Sequence, residues 1–294
     1  MKHGRLIDVL TQSPPSHFVI LDELLGIFSS QPSLHSAYIR GSIASNSYDR
    51  SSDVDLVLII NDDSYSLTVD SLDAIIQQHF CVTRPGWLDK IVPDFGGLGY
   101  VYLVSFENKI YQLDLYLLPL SQINSIRRIP KATLVFSQEA TLPSAISQNM
   151  TEEVTRYIDD KKQSRDTILS LGDEIIVLSF LLKKRIKRQQ LFLNASETHM
   201  LAVCLRNLMR LTWEPHLLDF GWYHFLEAIK FPAEILQLKH ELINLLENHS
   251  ISTHDSLFMV HDLLFKILRH NSITEEQFQS IKQISYIVLR SDHD

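Results

Sequence analysis

The chain has 294 residues, of which 45% are hydrophobic and 21% charged, too apolar for a disordered protein and long enough for two packed domains. Its 27 basic and 35 acidic side chains leave a net charge of −8, a field that repels polyanions and disfavours nucleic acid as a partner. Two cysteines, Cys81 and Cys204, are too few for a disulfide framework or a cysteine zinc site.

Residues 1–11 carry Lys2 and Arg5 but no apolar h-region, so no secretory signal is expected and the protein is read as cytoplasmic. Helical spacing of apolar residues predicts a helix over 19–29, stopped at Gln31-Pro32, and a short strand over 37–40. Residues 41–52 are rich in Ser, Asn, Asp and Gly and read as a loop, before a strand over 53–60. A second helix spans 67–80, with Leu67, Leu72, Ile75, Ile76 and Phe80 on its apolar side. The glycines of Phe95-Gly96-Gly97-Leu98-Gly99 lack the context of a phosphate-binding motif and read as a loop giving reach near a site.

Two β-rich runs, 100–106 and 110–118, flank Glu107-Asn108-Lys109 and predict an antiparallel hairpin. A short apolar piece follows at 132–136. The chain then turns polar and contains Pro143, which places a domain boundary near Thr141. From 151 onward the pattern is helical almost throughout. The expected fold is therefore α+β: an N-terminal domain, 1–140, with a mixed sheet flanked by helices, and a C-terminal all-α domain, 141–294. Residues 1–140 hold 10 basic and 15 acidic side chains, so neither half is a basic nucleic-acid module. The apolar run 175–182 falls far short of the roughly 20 residues a bilayer requires, so no membrane partner is expected.

The chemistry is concentrated in Ile39-Arg40-Gly41-Ser42, ten further residues, and Asp53-Val54-Asp55-Leu56-Val57-Leu58. Residues two apart on a strand share a face, so Asp53 and Asp55 project together while Val54, Leu56 and Leu58 enter the core. Apposed carboxylates raise one another's pKa, a cost that divalent cations between them offset, and Mg²⁺ suits such oxygen donors. In Tyr111-Gln112-Leu113-Asp114-Leu115-Tyr116-Leu117 the alternation turns the leucines inward and sets Asp114 on the opposite face. Three carboxylates on neighbouring strands can hold two metal ions that clamp the attacking and leaving oxygens of a phosphoryl or nucleotidyl transfer. Gly41 permits close backbone approach to a phosphate, and Ser42 offers a hydroxyl.

A Gly-Ser turn, a spacer, an Asp-x-Asp strand and a later third carboxylate resemble the signature of the DNA polymerase β-like nucleotidyltransferase superfamily. Ala44, Asp49, Arg50 and Ser52 also match residue types common there, and the resemblance covers about the first 120 residues. Ser45 and Asn46 depart from it; Asn tolerates a left-handed backbone, whereas a phosphate contact from position 45 is not expected. A helical second half resembles the antibiotic-modifying branch, the aminoglycoside and lincosamide nucleotidyltransferases, which places the acceptor between two domains. The resemblance implies two Mg²⁺ ions, an NTP co-substrate, taken as ATP, and transfer of its NMP to a hydroxyl of a small molecule with release of pyrophosphate; the net charge of −8 points to a cationic acceptor. It gives Asp53, Asp55 and Asp114 the role of metal ligands, Asp114 that of base, and Gly41 and Ser42 the β,γ-phosphates. The alternatives are nucleotidylylation of a protein, tRNA nucleotidyl transfer, which the negative charge of both halves disfavours, and a binding protein without activity.

Three other groupings have plainer readings. The cations of Lys183-Lys184-Arg185-Ile186-Lys187-Arg188 sit where a helix ends and are expected to remain solvated. His254-Asp255 and His261-Asp262 are expected at the surface or at helix ends rather than on a metal. Trp213-Glu214-Pro215-His216 and Gly221-Trp222-Tyr223-His224 are read as core around a helix break.

Overall fold

The structure, a computed structural model, describes residues 15–49, 52–89, 95–128, 131–138, 148–163, 167–215, 221–222, 225, 233–247 and 254–290. The chain divides into two compact units, Met1–Arg165 with Asp292–Asp294, and Asp166–Ser291. The fold is α+β, as the sequence implies: a mixed sheet with helices against it, then a helical region.

In the first unit the elements run α1 (Ser16–Ser29), β1 (Leu34–Ile39), α2 (Gly41–Ala44), β2 (Val54–Ile60), α3 (Tyr65–His79), β3 (Cys81–Leu88), β4 (Leu98–Phe106), β5 (Lys109–Pro119), β6 (Thr133–Ser137) and α4 (Gln148–Gln163). The strand order is β3-β4-β5-β2-β1-β6, with β2 and β5 parallel at the centre and every other pair antiparallel. Residue 141, where the composition shifts, lies outside the described residues. The helix beyond it, α4, is counted with the first unit because Val154 and Ile158 join that unit's core.

Strand β2 is buried along its whole length, as a central strand must be when both of its faces are covered. Val54, Leu56, Leu58 and Ile60 enter the larger core with Ile20, Leu24 and Phe28 of α1 and Val69, Leu72 and Ile76 of α3. Val57 and Ile59 face the other way, into a smaller cluster with Phe95, Tyr116, Leu118 and Leu120. Alternation therefore puts Asp53 and Asp55 on the side of the smaller cluster, the side of Tyr116 and Asp114.

Local detail departs from the sequence pattern in three places. Leu67 is 71% exposed, because the buried face of α3 is set by Tyr65, Thr68, Val69, Leu72 and Ile76. Lys109 already pairs with Phe106, so the hairpin turns on two residues, Glu107 and Asn108, both at positive φ as a primed turn requires. Gly97 is a packing glycine rather than a source of reach: a β-carbon there would run into the Leu117 carbonyl oxygen of β5. Strand β3 carries Pro85 and Gly86, which its edge position and irregular register accommodate.

The second unit holds α5 (Ile168–Lys187), α6 (Leu191–Trp213), α7 (Ala233–Glu247), α8 (His254–Leu268) and α9 (Glu275–Arg290). Thr167 starts α5 by accepting a bond from the Ser170 N–H at 3.1 Å. The basic run at the end of this helix is not a solvated row, which corrects the expectation for its first two members. Lys183 is buried, and its Nζ donates to the Val288 and Leu289 carbonyls, each at 2.9 Å, capping the last turn of α9. Lys184 is buried with its Nζ 4.9 Å from the Phe180 ring centroid, and Arg185 Nε donates to Glu197 Oε1 at 2.9 Å.

His261 is also a correction, being fully buried rather than at a surface or helix end. Its ring links Ser179 of α5 to Ser285 of α9. The Ser179 hydroxyl donates to the Ile175 carbonyl at 2.7 Å, so it accepts from His261 Nε2–H at 2.9 Å, and Nδ1 accepts from the Ser285 hydroxyl. Burial, together with the charge of Lys183, pushes the His261 pKa down to about 3, so the ring is neutral. Asp262 pairs instead with Lys266 at 2.8 Å. Phe225 is fully buried, and Trp222 lies 5.7 Å from it and 4.9 Å from the Arg206 guanidinium; His216, Tyr223 and His224 lie outside the described residues. Among the described residues no helix is long and apolar enough to cross a membrane.

Candidate active site

The site starts from the central parallel pair. Asp55 of β2 stands opposite Asp114 of β5 in the register, as Val54 stands opposite Leu113. Cross-strand neighbours in such a pair share a face, so the two carboxylates are brought side by side on the strand ends, with Asp53 one alternation earlier. The sequence predicts this grouping for all three acids.

The grouping is electrostatically costly. Withdrawal from water and the charges of Asp55 and Asp53 hold the Asp114 carboxyl well above the ordinary range. One hydrogen bond opposes this, the Gln112 Nε2–H donated to Asp114 Oδ1 at 2.8 Å. Asp89 adds further negative charge and accepts from the Tyr116 hydroxyl at 3.0 Å.

Residues 41 and 42, read as loop, fold as the four-residue helical turn α2. Gly41 sits at φ +67°, and a β-carbon there would overlap Asp55 Oδ2 and stand 2.9 Å from its Cγ. Only glycine meets both demands, so the turn is built around the Asp55 carboxylate. Ser45 donates to the Gly41 carbonyl at 2.9 Å, which ties its hydroxyl to the turn. Asn46 takes the left-handed backbone expected of it, at φ +53°. Among the described residues the Ser42 hydroxyl has no hydrogen-bond partner. Arg50 lies outside the described residues. Beyond it, the loop end is tied by Asp49 N–H donating to Ser52 Oγ at 2.8 Å.

Two groups escape a reading of the sequence. Arg40, the last residue before the turn, donates from Nε to Asp55 Oδ1 at 3.2 Å, with its guanidinium carbon 4.4 Å from the Tyr116 ring centroid. His17 of α1 lies 5.2 Å from the Tyr48 ring, and burial lowers its pKa against a smaller opposing pull from Asp49. Arg40 adjoins the motif, but its partnership depends on the β1–β2 register, which spacing alone does not supply.

Asp53, Asp55 and Asp114 are hard oxygen donors of the type Mg²⁺ takes, and their mutual repulsion is what a divalent cation would offset. In donor type and number they fit. They are not drawn around one point: among the described residues no three His, Cys, Asp or Glu side chains form a ready coordination sphere, and Arg40 holds one oxygen of Asp55.

No family model matches the chain, and no curated protein matches it. Among solved structures, the chain is similar to a nucleotidyltransferase-like protein from Exiguobacterium sibiricum, at 11% sequence identity and a TM-score of 0.20, over 90% of this chain and 76% of that one. At these values the likeness carries no argument about chemistry, which rests here on the chain's own residues.

Proposed function

We propose that this protein is a metal-dependent nucleotidyltransferase that moves the NMP of an NTP, taken as ATP, to a hydroxyl of a small cationic molecule of aminoglycoside or lincosamide type. The observation that carries the reading is the register of Asp55 opposite Asp114 beside the Gly41 turn, in a sequence whose Gly-Ser turn, spacer and three acids resemble that superfamily. The net charge of −8 supports a cationic acceptor over a polyanionic one.

In this reading Asp53 and Asp55 hold two Mg²⁺ ions, and Asp114 shares in holding one of them. Bound there, the ions supply Lewis-acid stabilisation of charge on the α-phosphate and the leaving pyrophosphate. Gly41, through its backbone N–H, and Ser42, through N–H and hydroxyl, donate to the β,γ-phosphates. Asp114 accepts the proton of the acceptor hydroxyl. The acceptor oxygen bonds to the α-phosphorus as the bond from that phosphorus to the oxygen bridging it to the β-phosphate breaks, and pyrophosphate leaves. Little covalent chemistry falls to the protein, which orients the reactants.

The test is incubation with α-labelled NTP and Mg²⁺ in three arms: small hydroxylated amines, proteins and tRNA, each read by mass. Label on a small amine, with one pyrophosphate released per product, is the expected result. Label confined to protein or tRNA would reassign the acceptor, and no label in any arm would overturn the reading.

A further inference from the structure

Arg40 is fastened at both ends of its own reach. Its backbone N–H donates to the Asp55 carbonyl at 3.2 Å, and its side chain returns to the same residue, Nε to Oδ1, also at 3.2 Å. The guanidinium lies on the Tyr116 ring, a platform anchored in turn by its hydroxyl bond to Asp89. Side-chain exposures of 19% for Arg40 and 11% for Asp55 place the pair in a water-poor setting, where an ion pair is screened less than at a surface.

The two oxygens of Asp55 therefore have different neighbours. Oδ2 lies against the Gly41 backbone, and Oδ1 accepts from Arg40. A divalent cation that binds Asp55 meets Arg40 as a competitor of the same sign. A guanidinium released from Oδ1 belongs to the residue that immediately precedes Gly41 and Ser42, and its planar fork matches phosphate oxygens.

We propose that Arg40 is a resident counter-charge of the carboxylate cluster: it fixes Asp55 before a divalent cation arrives, competes with that cation for Oδ1, and once displaced presents its guanidinium to the triphosphate. The proposal rests on the nucleotidyltransferase reading above. Arg40 acts here as a positioning residue that couples two binding events. Metal loading frees the guanidinium for phosphate, and by linkage phosphate binding favours metal loading.

The experiment is a Mn²⁺ titration, read by the signal of free Mn²⁺, on the parent, Arg40→Gln, Arg40→Lys and Asp55→Asn, with and without a non-hydrolysable ATP analogue. Without nucleotide, Arg40→Gln is expected to bind Mn²⁺ about tenfold more tightly than the parent, the scale on which outer partners of metal ligands act. With Mn²⁺ present, the same variant is expected to bind the analogue about tenfold more weakly. Arg40→Lys keeps the charge without the fork and should fall between the two in both measurements. It serves in place of Arg40→Gln if melting by circular dichroism in EDTA shows the latter unfolded. Equal Mn²⁺ affinity in the parent and both Arg40 variants, with loss in Asp55→Asn, would overturn the role of Arg40 and leave the metal site standing. Mn²⁺ binding indifferent to Asp55 would overturn the underlying reading and this proposal with it.

Discussion

Each unit of the molecule withdraws polar groups from water, and the two do so in opposite ways. In the helical unit, His261, Ser179 and Ser285 form a closed chain of donors and acceptors, and Lys183 finds two carbonyls at the end of α9. In the sheet unit, Asp114 is set opposite Asp55 and near Asp53, three like charges with Arg40 against one of them. A satisfied buried network rigidifies a fold, whereas an arrangement that raises a pKa by like charge is retained at a cost to the fold. The contrast sets a satisfied polar core against an electrostatically strained one.

The sharpest way to break this contrast is to remove the acids. Asp53→Asn, Asp55→Asn and Asp114→Asn are each expected to lower nucleotide transfer by about a thousandfold or more while the fold persists, and the triple variant should be little worse than the worst single one. Steady-state turnover together with circular dichroism checks this. Near-normal turnover in Asp114→Asn would remove it from the role of base.

A smaller effect is expected where the turn meets the cluster. Gly41→Ala forces a side chain into a positive-φ position already filled by the Asp55 carboxylate. Denaturant unfolding of the variant should show a loss of about 1–3 kcal/mol, with transfer impaired as well. Ser45→Ala removes the hydroxyl's bond to the Gly41 carbonyl together with its contacts to the Ser42 carbonyl and the Ser47 hydroxyl, and should cost about 1 kcal/mol by the same measurement.

The helical unit yields a prediction in pH. The folded His261 pKa of about 3 lies below the ordinary value of 6.5, so the unfolded chain takes up a proton that the folded chain refuses. The stabilisation is complete above pH 6.5 and is lost as pH falls from there towards 3, at about 1.4 kcal/mol per pH unit. Unfolding curves between pH 7 and 5 should show this slope in the parent, and it should be absent in His261→Gln.

The smallest expected effect has the opposite sign. A raised carboxyl pKa means that the folded state favours the proton, so stability is present at low pH and is lost as pH rises through the folded pKa. Asp114→Asn should therefore melt above the parent in EDTA at pH 7, by about 2–4 °C, with the gap closing as the pH is lowered. Repulsion alone would let the removal of any of the three acids give this relief. The structure moves it to Asp114, because Asp55→Asn would also strip Arg40 of its partner.

What the sequence discloses and what it conceals divide along the same physical line. Alternation within one strand placed Asp53 and Asp55 together and turned Asp114 away from Leu113 and Leu115, since period two needs no knowledge of neighbours. The 100–106 and 110–118 runs likewise sufficed for the hairpin. Arg40 was hidden because its partner is 15 residues away in the chain and is chosen by register. Lys183 and His261 were misplaced to solvent for a related reason: their partners lie 105 and 106 residues away for Lys183, and 24 and 82 for His261. A basic or polar residue near the end of a helix reads as solvated until the helix packed against it is known. Leu67 shows the converse, an apolar residue at plausible spacing on the wrong side of the face that Tyr65 and Leu72 define.

The central claim, that the acid cluster of the sheet unit binds metal and triphosphate, is tested most directly by melting the parent and Asp55→Asn in EDTA and then with Mg²⁺ plus a non-hydrolysable triphosphate. At one hundred times Kd a ligand stabilises by about 2.7 kcal/mol, a readable shift. The account predicts that shift in the parent and its near-complete loss in Asp55→Asn; equal ligand-induced shifts in the two proteins would contradict it.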